Sequence, residues 1–160
     1  MKLMGIDPGL AACGIAIVEL GGTPRVLSLT VARTEPSAKK RRLRSADDLG
    51  DRLRAIATVL HARLQEHPDL VAFCVESKAI PFRGGRMMVK PSVVSALGRV
   101  RGLLDAFAVD CALPIIEETA QTLKLLTTGR RDASKTDVQA ALELAARARA
   151  CPEQLAEGAA

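Results

Sequence analysis

Two carboxylates stand where they could do chemistry. Asp7 closes the apolar run Leu3-Met4-Gly5-Ile6 and is followed at once by Pro8-Gly9, while Glu76 closes the run Val71-Ala72-Phe73-Cys74-Val75. A carboxylate at the end of a strand, flanked by glycine and proline, is held rigidly, as a metal or phosphate site requires. Pro8 fixes φ, Gly5 keeps a bulky side chain away, and Gly9 is expected to allow the sharp turn into the next strand. Two such groups converging from neighbouring strands suit divalent metal ions acting on a phosphodiester. A plain hairpin with an acidic turn residue would also carry Asp7, and a simple strand cap would carry Glu76. Their coupling favours the metal reading.

The basic residues match such a substrate. Lys39-Lys40-Arg41-Arg42-Leu43-Arg44 holds five cations in six positions, and Arg83, Arg86, Lys90, Arg99 and Arg101 fall in a stretch with no acid. Lys124, Arg130, Arg131 and Lys135 form a third cluster opposed only by Asp132. Any one cluster is an ordinary solvated face. Three of them in loops and helix ends, on a chain of net charge +5, point to a polyanion such as nucleic acid.

The elements that must position these groups are legible from periodicity and punctuation. Strands are expected over Met1–Asp7, Ala12–Leu20 and Arg25–Ala32, with Gly21-Gly22-Thr23-Pro24 as a turn, making an antiparallel meander. Thr34–Arg44 is a polar, basic loop. Ser45 caps a helix whose Leu49, Leu53, Ile56, Leu60 and Leu64 recur at helical spacing until His67-Pro68. Val71–Val75 is a buried strand suited to parallel pairing beside the first. Ser77–Lys90 is a loop, and Pro91 starts a helix with Val94, Leu97, Arg101 and Leu104 on one side. Val93, Val100, Leu103 and Phe107 form a second apolar stripe on that helix, and with Ala96 and Gly98 it is expected to face a two-fold partner. A strand over Leu113–Ile116, a helix over Thr119–Thr127, a turn at Gly129–Ala133 and a helix from Ser134 to about Arg149 complete the order. The fold class is α/β: a five-stranded mixed sheet, its first three strands antiparallel, flanked by helices in a ribonuclease-H-like order.

Composition sets the bounds. At 160 residues with 48% hydrophobic and 26% charged content, a single domain over 1–160 is expected, folded rather than disordered. With three Phe and no Trp or Tyr, its core must be built from Leu, Val, Ile and Ala. Cys13, Cys74, Cys111 and Cys151 are scattered, without Cys-x-x-Cys or paired His, so zinc and a disulfide framework are not expected and the thiols read as small buried hydrophobes. No apolar run approaches the ~20 residues of a membrane span, and no signal segment opens the chain, so the expectation is a cytoplasmic protein.

In order along the chain, Gly5-Ile6-Asp7-Pro8-Gly9, the strand into Glu76-Ser77, Leu97-Gly98-Arg99-Val100-Arg101-Gly102, Leu123-Lys124 before Gly129, and Ser134-Lys135-Thr136-Asp137-Val138-Gln139 resemble the RuvC-type Holliday junction resolvases. The opening motif alone is shared with actin-like ATPases and sugar kinases, which need two lobes; this chain has room for one. The resemblance implies a dimeric, Mg2+- or Mn2+-dependent endonuclease acting on four-way DNA with paired nicks. It implies that Asp7 and Glu76 are the first two metal-binding positions and that Lys124 and Lys135 act near the scissile phosphate. Arg83, Arg86, Lys90, Arg130 and Arg131 would contact DNA. The chain departs from the family at two places. Ala79 stands where the family has an aromatic, leaving Phe82 as the residue that could wedge into the junction. The family's last ligands begin a final helix reading like Asp-Ala-x-Asp-Ala-Leu-Ala, whereas this sequence ends Ala156-Glu157-Gly158-Ala159-Ala160, so Glu157 is the candidate there and the final helix is expected to be lacking. That departure keeps open a second function: a junction-binding protein on the same fold without the chemistry.

Overall fold

The computed structural model describes residues 1–21, 24–36, 45–77, 82–83, 86–87 and 89–150. Three strands come first, β1 (Lys2–Asp7), β2 (Ala12–Glu19) and β3 (Arg25–Arg33), followed by helix α1 (Ser45–Glu66) and strand β4 (Leu70–Ser77). A two-residue hairpin, β5 (Phe82–Arg83) and β6 (Arg86–Met87), precedes α2 (Pro91–Asp110), β7 (Ile115–Thr119), α3 (Ala120–Thr128) and α4 (Lys135–Ala150). The main sheet runs β3-β2-β1-β4-β7. β1 pairs antiparallel with β2, β2 antiparallel with β3, and β1 parallel with β4. The meander and the parallel return expected from the sequence are both present. The hairpin Phe82↔Met87, Arg83↔Arg86 was expected only as loop, because two-residue strands carry no periodicity.

Alternation decides which face of the sheet is core. Met4 and Ile6 of β1, Cys13, Ile15 and Ile17 of β2, and Phe73 and Val75 of β4 are buried in one cluster with Ile56 and Leu60 of α1 and Val100, Leu104 and Phe107 of α2. Scarce aromatics are concentrated there: Phe73 stacks on Phe107 at 5.5 Å, and His61 meets Phe107 edge-on at 4.7 Å. The stripe of α2 that faces the core is therefore Val100, Leu104, Phe107 and Ala108. This corrects the expectation that Val100 and Phe107 wait for a partner. Of the large apolar residues expected to face a partner only Val93 is exposed, at 43%; Val94 and Leu97, from the other expected stripe, are half-buried. Pro114 explains why β7 begins at Ile115 rather than Leu113: lacking an N–H it cannot pair fully, though its carbonyl accepts from Phe73 N at 2.9 Å.

The chain divides into two compact units, Met1–Glu117 and Glu118–Ala160. In the second, Thr119 Oγ1 accepts from Thr122 N at 3.1 Å to cap α3, and Gly129, at φ 73°, closes it with a left-handed residue whose N–H donates to Leu125 O at 2.8 Å. Ser134 and Asp137 then cap α4 reciprocally. Ser134 N donates to Asp137 Oδ2 at 2.8 Å and Asp137 N to Ser134 Oγ at 3.1 Å. Among the described residues no helix is long and apolar enough to cross a membrane.

Candidate active site

Register brings the two carboxylates together. The parallel β1–β4 ladder pairs Gly5 with Cys74 and Ile6 with Val75, so the next residues, Asp7 and Glu76, leave the same end of adjacent strands side by side. Neighbouring strands lie about 4.8 Å apart. Across the antiparallel ladder Asp7 faces Gly14, which has no side chain; a Cβ there would stand 3.5 Å from that of Asp7. Asp7 is exposed and Glu76 half-buried.

The turn behind Asp7 is held by a hydrogen-bond relay that the sequence did not reveal. Thr34, a polar residue only 8% exposed, donates its N–H to Ala11 O at 3.0 Å and its hydroxyl to Leu10 O. Arg52 Nε of α1 donates to that same hydroxyl oxygen at 2.9 Å. The end of β3 and the first helix thus both fix the Pro8–Ala11 turn. Gly9 is needed there for space rather than for a left-handed backbone, because a Cβ on it would run into the carbonyl of Ala12; Gly129 is the glycine at positive φ among the described residues. Beside the turn, burial pushes the Cys13 thiol up, partly countered by a hydrogen bond from the Gly9 backbone and reinforced by the negative charge of Asp7.

Glu76 also borders a cavity of about 220 Å3. Pro8, Val94 and Leu97 give it apolar walls, and Ser77, Arg101 and Glu117 join Glu76 on its polar side. Arg101 is not the uncompensated cation suggested by its acid-free stretch of sequence. Its Nε donates to Asp105 Oδ1 at 2.8 Å and its guanidinium pairs with Glu117. Glu117 and Gly98 were not singled out as site residues from the sequence. Nothing local marks Glu117, and Gly98 stood in the sequence only within the family-like segment Leu97–Gly102 and as a point of close approach; the pairing of β7 with β4 and the packing of α2 bring both beside Glu76.

Two carboxylates on a rigid frame fit a hard divalent cation, which magnesium-type sites bind through one or two carboxylates plus substrate phosphate. Among the described residues no group of three or more His, Cys, Asp or Glu gathers, and Glu157 lies outside them. The side chains of Phe82, Arg83 and Arg86 and the run 39–44 also lie outside the described residues; Lys90, just before α2, is exposed. Lys124, Arg130, Arg131 and Lys135 belong to the second unit, where Arg130 is engaged by Asp132 through two contacts of 3.2 Å. That pairing raises the Arg130 guanidinium and holds the Asp132 carboxyl below the usual range, with Lys124 adding a smaller pull in the same direction.

A family model described as crossover junction endodeoxyribonuclease RuvC matches residues 3–159, nearly the whole chain. The chain belongs to the RuvC family. Family members named crossover junction endodeoxyribonuclease RuvC include one from Synechococcus sp. (strain CC9902), 32% identical over 140 residues, covering 86% of this chain and 79% of that protein. A RuvC from Streptomyces griseus is 32% identical over 147 residues, covering 88% of this chain and 61% of its own length. Among solved structures, T. thermophilus RuvC in complex with Holliday junction substrate superposes with a TM-score of 0.65 at 22% identity, covering 88% of this chain and 76% of that one. That likeness establishes the ribonuclease-H-like RuvC fold for the sheet and helices described above.

Proposed function

We propose that this chain is a metal-dependent endodeoxyribonuclease that resolves four-way DNA junctions, with Asp7 and Glu76 as its first two metal ligands. The observation that carries the reading is the in-register placement of these carboxylates at one end of β1 and β4, in a chain of the RuvC family. A divalent ion, Mg2+ or Mn2+, supplies an activated water and polarises the phosphoryl oxygen when bound there. Asp7 and Glu76 hold it, and Glu157 adds a further carboxylate. Lys124 and Lys135 offset the negative charge that develops on the scissile phosphate. Arg83, Arg86, Lys90, Arg130 and Arg131 follow the phosphate backbone without reading bases, and Phe82 wedges into the branch point. Residues 1–160 work as one nuclease domain, paired with a second copy so that two symmetric nicks can be made. The enzyme works in the cytoplasm.

Cleavage of a labelled four-way junction, compared with linear duplex of equal length in Mg2+ and in Mn2+, tests this reading. Paired nicks on the junction and none on the duplex are expected. Tight junction binding with no cleavage in either metal would instead identify a non-catalytic junction-binding protein.

A further inference from the structure

The turn Pro8–Ala11 lies between the last ladder position of β1, Asp7, and the first of β2, Ala12. Its carbonyls must therefore find partners outside the sheet. Two of them find the same residue: Thr34 donates its N–H to Ala11 O at 3.0 Å and its hydroxyl to Leu10 O. Arg52 Nε donates to that hydroxyl oxygen at 2.9 Å. Thr34 and Arg52 line a cleft together with Arg33, Glu35, Asp48 and Asp51. With three carboxylates in the cleft an ion pair would be the ordinary use of the Arg52 Nε–H, yet it is aimed at a neutral hydroxyl. A cationic donor polarises the hydroxyl and strengthens its own bond to Leu10 O. The arginine thus tightens the backbone just beyond Asp7.

We propose that Arg52 is a positioning residue of the metal site: through Thr34 it fixes the backbone behind Asp7 so that the Asp7–Glu76 pair favours Mg2+ over Ca2+. The inference rests on the reading of these carboxylates as metal ligands and adds what sets their choice of ion. Mg2+ demands near-ideal octahedral geometry at roughly 2.0–2.1 Å, whereas Ca2+ accepts oxygens at roughly 2.3–2.6 Å in flexible arrangements. A carboxylate free to wander by a few tenths of an ångström therefore costs Mg2+ binding more than Ca2+ binding. Across the ladder Asp7 faces Gly14, which has no side chain to confine it. Confinement has to come from the main chain instead. Gly9 leaves that chain no slack on one side, since even a Cβ there would run into the Ala12 carbonyl. The Thr34–Arg52 relay holds it on the other. Residues that orient metal ligands without touching the ion are typically worth about 10–100-fold in affinity.

The test reads ion binding on the full chain without DNA. Bound Mn2+ is followed by its paramagnetic resonance signal while Mg2+ or Ca2+ is added to displace it. The wild-type chain should require more Ca2+ than Mg2+ for half-displacement. Arg52→Met, which keeps most of the stem and removes the donor, should shrink that Ca2+/Mg2+ ratio about tenfold. Arg52→Lys, which keeps a charged donor, should recover part of the ratio. Arg52→Gln, which keeps a neutral donor, should shift it in the same direction as Arg52→Met and carries the test should the methionine variant misfold. On a four-way junction Arg52→Met should lower kcat in Mg2+ about tenfold while junction Kd stays within about twofold. An unchanged ratio in a folded variant makes the relay a matter of stability only; it overturns the inference and leaves the nuclease reading intact. A wild-type chain that prefers Ca2+ also overturns it. A ratio that shifts as expected in a chain that cuts no junction supports the inference and removes the nuclease reading alone. Mn2+ binding that neither Asp7→Asn nor Glu76→Gln weakens removes the metal site and the inference together.

Discussion

Asp7 and Thr34 act on the same few ångströms of backbone by different means. Asp7 contributes a charge, so Asp7→Asn should abolish cleavage while sparing junction binding; removing one negative group weakens the hold on a divalent ion but does not repel phosphate. Binding lost in parallel with cleavage at low salt would refute that division. Thr34 contributes only a hydroxyl, donated to Leu10 O and accepting from Arg52. Thr34→Val leaves a carbonyl and a guanidinium without that partner and should lower stability by about 1–3 kcal/mol. Thr34→Ser should recover most of it, and equal losses in urea melts of the two variants would rule the relay out. Asp7 was visible in the sequence because proline and glycine bracket it. Thr34 was not: 24 residues separate it from Leu10, and nothing local marks a threonine whose partner is a distant backbone carbonyl. Glu117 escaped for the same reason, being one acid of an adjacent pair whose role depends on where β7 lands.

At the scale of elements, the strands of the main sheet, α1 and the cap of α4 followed from local pattern, whereas the β5–β6 hairpin and the orientation of α2 did not. Val93–Phe107 is apolar on more than one side, and periodicity cannot say which side meets the sheet; the partners Phe73, Ile56 and Leu60 decide it. The composition predicted an aliphatic core, and the stacked pair Phe73–Phe107 is set into it. Phe73→Ala should therefore cost about 3–5 kcal/mol, read as a shift of the denaturation midpoint without a change in slope. The second unit carries a pH dependence of its own. Backbone and side-chain hydrogen bonds from Ser134 hold the Asp137 carboxyl below its usual range, and Arg130 does the same for Asp132. Because both folded pKa values are depressed, their contribution is complete above the ordinary carboxylate pKa of about 3.9 and disappears as pH falls through the lower folded values. Helical circular dichroism should decline over that acid range in the wild type and more weakly in Asp137→Asn.

For the whole molecule, charge rather than shape sets the affinity for DNA. Junction binding should weaken steeply as salt rises, and replacing Lys124, Arg131 and Lys135 together should flatten the log–log slope by about two to three. Arg130 is a poorer choice for that experiment because Asp132 already engages it. A slope equal to that of the wild type would take this cluster off the DNA surface. Of the α2 residues that the sequence offered for a two-fold interface, Val100 and Phe107 are taken by the core. Val100 and Phe107 are 0% and 3% exposed, so Val100→Glu would report on folding, whereas Val93 at 43% is open. Sedimentation of Val93→Glu is the cleaner measurement: a dimer that loses mass supports this helix as the interface, and an unchanged mass excludes its Val93 end.

The buried thiol beside the site has a use of its own. Cys13 is 0% exposed and its burial keeps the sulfur protonated, so an alkylating reagent can reach it only when the β1–β2 ladder opens. The protein thereby carries an internal clock for the opening of its own catalytic frame. Timed labelling, read by mass spectrometry at the Cys13 peptide, would measure how much a divalent ion slows that clock without any DNA in the tube.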